Sequence, residues 1–279
     1  MIIWLASYPK SGNTWVRSFI SAYYYSEDGK FDFNLLSKIK QFPSNDFFDK
    51  KMLSVEEAAN NWIKAQRKII DLKKVHFLKT HNVYGAYKGN MFTTPELSLG
   101  AIYIIRDPRN VITSLMNHFS INENNAIQMI SNAYRNLRDE NDDDNYANYS
   151  FISSWNNNYN SWKLSKQLDV LFVKYEELEN NTIFTFKKIV SFINKLTGEK
   201  KDIDIKKLKT SIETTAFDVL KEREEKEGFS EAIFSKKDKN KRTFFYLGSK
   251  NNYKFLLKKK TSNYFEKIFY KEMKELGYL

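Results

Sequence analysis

The sequence predicts an α/β fold: one domain with a central, mainly parallel sheet flanked by helices on both faces. Three observations carry that expectation. Short apolar runs alternate with segments of helical period along all 279 residues, which is the order a parallel sheet requires. The apolar runs are nearly continuous, as in strands covered on both faces. No Pro-, Gly- or Ser-rich linker and no internal repeat divides the chain, so residues 1–279 are expected to form a single unit. A hydrophobic fraction of 42% suffices for a sizeable core, and the 16% aromatic content is high enough that part of it is expected to line a pocket.

The first apolar run is residues 1–6, followed by Ser7-Tyr8-Pro9-Lys10-Ser11-Gly12-Asn13-Thr14-Trp15. Trp15, Val16, Phe19, Ile20 and Tyr23 then place one apolar stripe on a helix. A strand, a tight turn with Pro and Gly, and a helix start together point backbone N–H groups at an anion. Lys10, Ser11, Asn13 and Thr14 add one positive charge and three polar side chains. The loop is not a Walker A sequence, because Lys10 precedes Gly12, the only glycine in it.

The second run, residues 75–78, is followed by Lys79-Thr80-His81. The third, residues 101–105, is followed by Arg106-Asp107-Pro108-Arg109, and the fourth, residues 170–173, by Lys174-Tyr175-Glu176. Ligands of open parallel sheets bind beyond the carboxyl ends of the strands, so these residues are expected to converge. Asp107 suits a helix N-cap and Pro108 the first helical position. That helix continues through Ser114, about two turns on. A plain cap with a surface ion pair and a Walker B-like metal carboxylate are the competing readings of Arg106-Asp107, and the following proline favours the cap. Trp155, Tyr159 and Trp162 form a core stripe on a helix before the fourth strand. His76 reads as a packed core residue and His118 as structural or pocket-lining. Tyr23, Tyr24 and Tyr25 straddle core and pocket.

The formal charge is +11, but the basic residues are dispersed and no helix-turn-helix, zinc or RNA-recognition signature accompanies them. Nucleic acid is therefore not the expected partner; a small, highly anionic ligand is. The basic cluster from Lys236 to Arg242 reads either as a solvated loop or as a patch with specific work. The chain has no cysteine, which excludes disulfides and thiolate chemistry. It has three histidines in no ligating pattern, so no metal is expected. The acidic run at residues 139–145 lacks the glycine and terminal glutamate of a calcium loop. No signal peptide or membrane span is read, and the first strand begins at Met1, so a cytoplasmic location is expected.

These motifs resemble those of the sulfotransferases of cytosolic and bacterial type, which use 3′-phosphoadenosine 5′-phosphosulfate (PAPS). The Tyr8–Trp15 loop is similar to the family's Tyr-Pro-Lys-Ser-Gly-Thr-Thr-Trp and departs from it only at Asn13. The resemblance implies that Lys10, Ser11, Gly12, Asn13, Thr14 and Trp15 hold the 5′-phosphosulfate. Ile105-Arg106-Asp107-Pro108 through Ser114 resembles the segment in which an Arg and a Ser eight residues later grip the 3′-phosphate. Lys79-Thr80-His81 looks like the segment whose His is the catalytic base, which implies catalytic roles for His81, Lys10 and Lys79. Tyr175 and Phe217 fall where the family places aromatic contacts to adenine. Residues 265–279 resemble a terminal helix of bacterial members.

The implied fold has a P-loop-like nucleotide-binding core. The implied reaction is metal-independent transfer of a sulfuryl group from PAPS to a hydroxyl or amine of a small-molecule or glycan acceptor. One departure stands out. The family has Arg-Lys-Gly near its C-terminus, where this chain has Tyr246-Leu247-Gly248. Gly248 is kept and both basic residues are absent. Replacement by Lys241, Arg242, Lys250 or Lys254, weaker donor binding, and a changed donor all stay open. A P-loop-type nucleotide kinase and a non-catalytic nucleotide-binding protein are the alternative functions. Acceptor choice is assigned to residues 27–60, 84–97, 118–149 and 226–245; the acceptor itself and the oligomeric state are not read from the sequence.

Overall fold

Side chains alternate across a strand, and β1 (Ile2–Ser7) sends Ile2, Trp4 and Ala6 to one face and Ile3 and Leu5 to the other. All five are fully buried, as a central strand covered on both sides demands. The computed structural model describes residues 1–70, 74–137, 149–232 and 242–279. With β2 (His76–Thr80), β3 (Ser98–Ile105) and β4 (Val170–Lys174), β1 forms a parallel sheet in the order β2-β1-β3-β4. The chain leaves β1 for a neighbour on one side and returns to β3 on the other. The topological switch point, where such sheets bind ligands, therefore lies between β1 and β3.

Lys79 and Thr80, expected just past the second run, belong to β2 itself. Lys79 lies opposite Leu5 on one side. On the other, Lys79 N donates to Lys40 O at 2.9 Å and Phe42 N donates to Lys79 O at 2.8 Å. The stretch around Gln41 thus covers the outer edge of β2. His76, expected in the core, is half-buried at the start of β2.

Two helical layers cover the sheet. On the Ile3/Leu5 face, Val16, Phe19 and Ile20 of α1 (Asn13–Tyr25) pack with residues of a long helix that follows β4. Phe19 stacks on Phe186 of that helix with ring centroids 4.0 Å apart; burying such a ring contributes about 1.5–3 kcal/mol. The Trp4 face meets α2 (Pro108–Phe119), α3 (Trp155–Lys163) and a C-terminal helix at Lys259–Ile268. Trp155, Tyr159 and Trp162 lie in that core, as their spacing predicts. Tyr23 and Tyr24 pack against the opposite core, while Tyr25 is 36% exposed.

Asp107 caps α2, its carboxylate accepting Arg109 N at 2.9 Å, with Pro108 in the first turn. The ion pair at this cap comes from Arg109, whose Nη2 lies 2.7 Å from Asp107 Oδ2. Arg109 also reaches Glu266 at 2.6 Å and the Tyr278 carbonyl at 2.7 Å, which fastens the C-terminal region to α2. A smaller cluster of Ala22, Phe31, Leu36, Leu220, Phe229 and Phe245 joins the end of α1 to residues beyond β4. The acidic run at 139–145 and residues 236–241 of the basic cluster fall outside the described residues. Among the described residues no helix is long and apolar enough to cross a membrane.

Candidate active site

The loop after β1 turns by means of two left-handed residues, Lys10 (φ 66°) and Gly12 (φ 98°). Gly12 is the N-cap of α1, and no side chain caps that helix, so none competes for its first-turn N–H groups. A Cβ at Gly12 would collide with the Tyr175 ring, standing 2.9 Å from Cε2. Glycine is what lets the ring lie flat against the loop. Asn13 explains the one departure from the family's loop sequence. Its Nδ2 donates back to Leu5 O at 2.9 Å and Ser7 Oγ at 3.2 Å, a reach suited to an amide, and so it holds the end of β1. Ser11 Oγ, Asn13 Oδ1, Trp15 Nε1 and Arg106 Nε are buried without a hydrogen-bond partner.

His81 follows β2 directly. Its Nδ1 lies 2.8 Å from the Ser7 carbonyl and 3.2 Å from Ser7 Oγ. A carbonyl only accepts, so Nδ1 carries the proton and Nε2 keeps its lone pair. Burial, and next the charge of Lys79, push the His81 pKa down to about 3, so the ring is neutral at physiological pH. Asn158 of α3 donates to the His81 carbonyl at 2.9 Å.

Lys79 is buried, and its Nζ is 3.0 Å from Glu231 Oε2. Glu231 Oε1 pairs with Arg17 of α1. Lys10 is partly exposed along its stem, while its amine turns inward, 3.8 Å above the Phe244 ring and 3.4 Å from His118 Nδ1. Burial, then the Lys79 charge, lower the Lys10 pKa to about 7. His118 is buried at the same spot and held well below its ordinary pKa, chiefly by burial.

At the end of β3, the Arg106 guanidinium stacks 3.9 Å above the Tyr175 ring and its Nη1 donates to Lys10 O at 3.4 Å. Lys10, His81, Arg106 and Tyr175 thus converge from the ends of all four strands. Thr14 is buried beside them in the first turn of α1, and Trp15 meets Tyr175 edge-on with ring centroids 5.8 Å apart. Ser114 is half-buried on α2, the helix along which the residues around Gly248 are fastened. Asn251 Nδ2 donates to Asn110 O at 2.9 Å, Thr113 Oγ1 donates to Asn251 Oδ1 at 2.5 Å, and Tyr253 N donates to Asn110 Oδ1 at 2.9 Å. Gly248 (φ 54°) lies against Phe217, where an added Cβ would be 2.5 Å from the ring.

The structure places three of the four candidates to replace the missing Arg-Lys pair. Lys250 and Lys254 are exposed, Arg242 Nε donates to Ser120 Oγ at 3.0 Å, and Lys241 lies outside the described residues. Amides and arginines together seat this region on α2: Asn110 and Asn251 by hydrogen bonds, Arg242 through Ser120, and Arg109 by stacking 4.0 Å from the Tyr253 ring centroid. Arg17, Glu231, Phe244 and Asn251 were not singled out from the sequence. Within residues 226–245, Glu231 lies on Lys79 and Phe244 on Lys10. Arg17 had one legible signal, its position one turn after Asn13 on α1.

A glycine-turned loop, a neutral histidine and an arginine meet at the switch point of a parallel sheet. Residues 2–277 match the sulfotransferase domain family, and the chain belongs to that family. Luciferin sulfotransferase of Photinus pyralis is 23% identical over 210 residues, a match spanning 71% of this chain and 52% of that protein; the chain therefore aligns with about half the length of that relative. Among solved structures, retinol dehydratase in complex with androsterone and the inactive cofactor PAP aligns with a TM-score of 0.64 at 13% identity, over 98% of this chain and 80% of that one. A mouse sulfotransferase complexed with PAP aligns with a TM-score of 0.55 at 18% identity, over 98% and 84%. At these identities the likeness establishes the fold.

Proposed function

We propose that this protein transfers a sulfuryl group from PAPS to a hydroxyl or amine of a small acceptor, with His81 as the general base. The observation that carries this reading is the 2.8 Å bond from His81 Nδ1 to the Ser7 carbonyl. It fixes the tautomer that leaves Nε2 basic, and it anchors the histidine on the residue from which the anion loop springs. Base and anion site therefore share one support.

Three of the partnerless buried atoms at the loop and at Arg106, namely Ser11 Oγ, Trp15 Nε1 and Arg106 Nε, are donors and fit a ligand rich in acceptor oxygens. In this reading Lys10, Ser11, Gly12, Asn13, Thr14 and Trp15 surround the 5′-phosphosulfate, and Arg106 and Ser114 take the 3′-phosphate. Tyr175 and Phe217, beside Gly248, flank adenine. When bound, PAPS supplies the sulfuryl group and leaves as 3′-phosphoadenosine 5′-phosphate (PAP).

The remaining work belongs to side chains. His81 Nε2 accepts the acceptor's proton. Lys10 and the first-turn N–H groups of α1 stabilise negative charge growing on the leaving side, and Lys79 does the same at the transferred group. In the free protein the low His81 pKa would make it a weak base. Anionic ligand beside Lys10 and Lys79 offsets the two charges that help depress it and moves it back toward the working pH. Phe151, bonded to Asn82 and Val83 just after His81, packs on Tyr87 with ring centroids 4.9 Å apart, an aromatic surface that suits a planar apolar acceptor.

A screen of phenols, steroids, amines and sugars with radiolabelled PAPS tests the proposal. Label transfer to one of these classes is expected without added metal. Failure to transfer to any of them, together with failure to bind PAP, overturns it; ATP binding with a Mg²⁺ requirement would indicate a nucleotide kinase.

A further inference from the structure

We infer that Glu231 is a positioning residue of this site, bridging Arg17 and Lys79 so that the Lys79 amine is held beside His81. The inference rests on the sulfuryl-transfer reading above and extends it to a residue that no motif includes. Three elements meet at one carboxylate. Lys79 comes from β2, with its Nζ 3.0 Å from Glu231 Oε2. Arg17 comes from α1, pairs with Glu231 Oε1, and is fixed from behind by its Nη2 bond to Leu36 O at 2.7 Å. Arg17, Lys79 and Glu231 are each at most 9% exposed.

Among the described residues, the charged and titratable groups around Lys79 include Glu231, Arg17, Lys10, His81 and His118, with Glu224 acting on Lys10. Two are cations, and both imidazoles are depressed toward neutrality. The Glu231 carboxylate touches Lys79 and opposes them. Burial lowers the Lys79 pKa and Arg17 adds to that, while Glu231 raises it. Without the carboxylate, Lys79 and Arg17 would face each other as buried like charges, and Lys79 would give up its proton at a lower pH. An uncharged Lys79 lacks the charge to stabilise a transferred sulfuryl group.

Glu231 itself is seated by other residues. Phe229 packs against Phe244 and Phe245 with ring centroids 4.8 and 5.3 Å apart. Glu224 accepts the N–H groups of Phe244 and Phe245 at 2.7 and 2.8 Å. The isosteric Glu231→Gln should therefore leave the segment in place and remove only the charge.

The test has an arm that needs no turnover. The Lys79 amine is titrated by NMR in ¹³C-lysine protein, its signal assigned with Lys79→Arg. In Glu231→Gln its midpoint should move down by about one pH unit or more. In the activity arm, Glu231→Gln should lower kcat roughly tenfold or more at pH 8 and shift its basic limb to lower pH, with PAP affinity by calorimetry within about threefold. Glu231→Asp should restore part of kcat. In a Lys79→Met background, Glu231→Gln should cost nothing further.

An unmoved Lys79 titration overturns the inference. So does an equal kcat loss in the Lys79→Met background, or a loss of PAP affinity matching the loss of kcat. If the wild type sulfates no acceptor, the reaction assignment fails, while the NMR arm still decides what Glu231 does to Lys79.

Discussion

PAP binding should take up protons at Lys10. In the free protein burial and the Lys79 charge lower this amine to about 7, so at pH 7 roughly half the molecules carry the charge and at pH 8 about one in ten. A phosphate against the amine favours the charged form. If binding restores the ordinary value of about 10.4, uptake is about 0.5 proton per PAP at pH 7 and about 0.9 at pH 8. The sign follows. The charged form that binds is present below pH 7 and is lost as pH rises, so affinity should fall, approaching tenfold per pH unit, between about pH 7 and 9. The ligand's phosphates finish ionising near pH 6, which leaves that window to the protein. Calorimetry at pH 8 in buffers of different ionisation heat reads the uptake directly, and Lys10→Arg, which stays charged, should abolish it. Equal heats in all buffers, with a Kd constant from pH 7 to 9, would refute the placement of the amine against the anion.

Gly12→Ala should destabilise the fold by about 2–5 kcal/mol, combining the left-handed backbone with overpacking against Tyr175; urea unfolding checks this, and a loss under about 1 kcal/mol would contradict the contact. Arg106→Ala should weaken PAP about 10- to 100-fold, the range for a bond to a charged group, and adenosine 5′-phosphosulfate much less. Equal losses in calorimetry would remove Arg106 from the 3′-phosphate. An unperturbed histidine base would make kcat/KM fall below about pH 6.5. His81, lowered to about 3, should impose no such fall down to about pH 5, and a limb near 6.5 would show that the ring is not shielded in the free protein.

The parts legible in the sequence were those encoded locally. Continuous apolar runs marked the four strands of the central sheet, and Asp107-Pro108 marked a helix start by chemistry confined to a few residues. The loop at Lys10 to Trp15 and the strand-end position of Arg106 followed from order alone. What stayed hidden depends on contacts between distant residues. Arg17 and Glu231 are 214 positions apart, and Glu231 sits near a stretch so rich in Lys and Glu that it resembles solvated surface. Phe244 over Lys10 and Asn251 on Asn110 are likewise products of packing. Asn13 looked like a mild change from Thr, and its reason, an amide that reaches Leu5 and Ser7, is visible only once the turn is built. Lys79 was placed one step wrong because the edge contact with Lys40 and Phe42 extends a strand that its own apolar run does not.

The most direct measurement is turnover of His81→Ala against wild type, with radiolabelled PAPS and one competent acceptor, alongside PAP affinity for both proteins. A base held at Nδ1 by the Ser7 carbonyl predicts a drop of roughly 10²- to 10⁴-fold in turnover with PAP affinity nearly unchanged. Unchanged turnover would take His81 out of the mechanism and with it the claim that anion loop and base are built on one support.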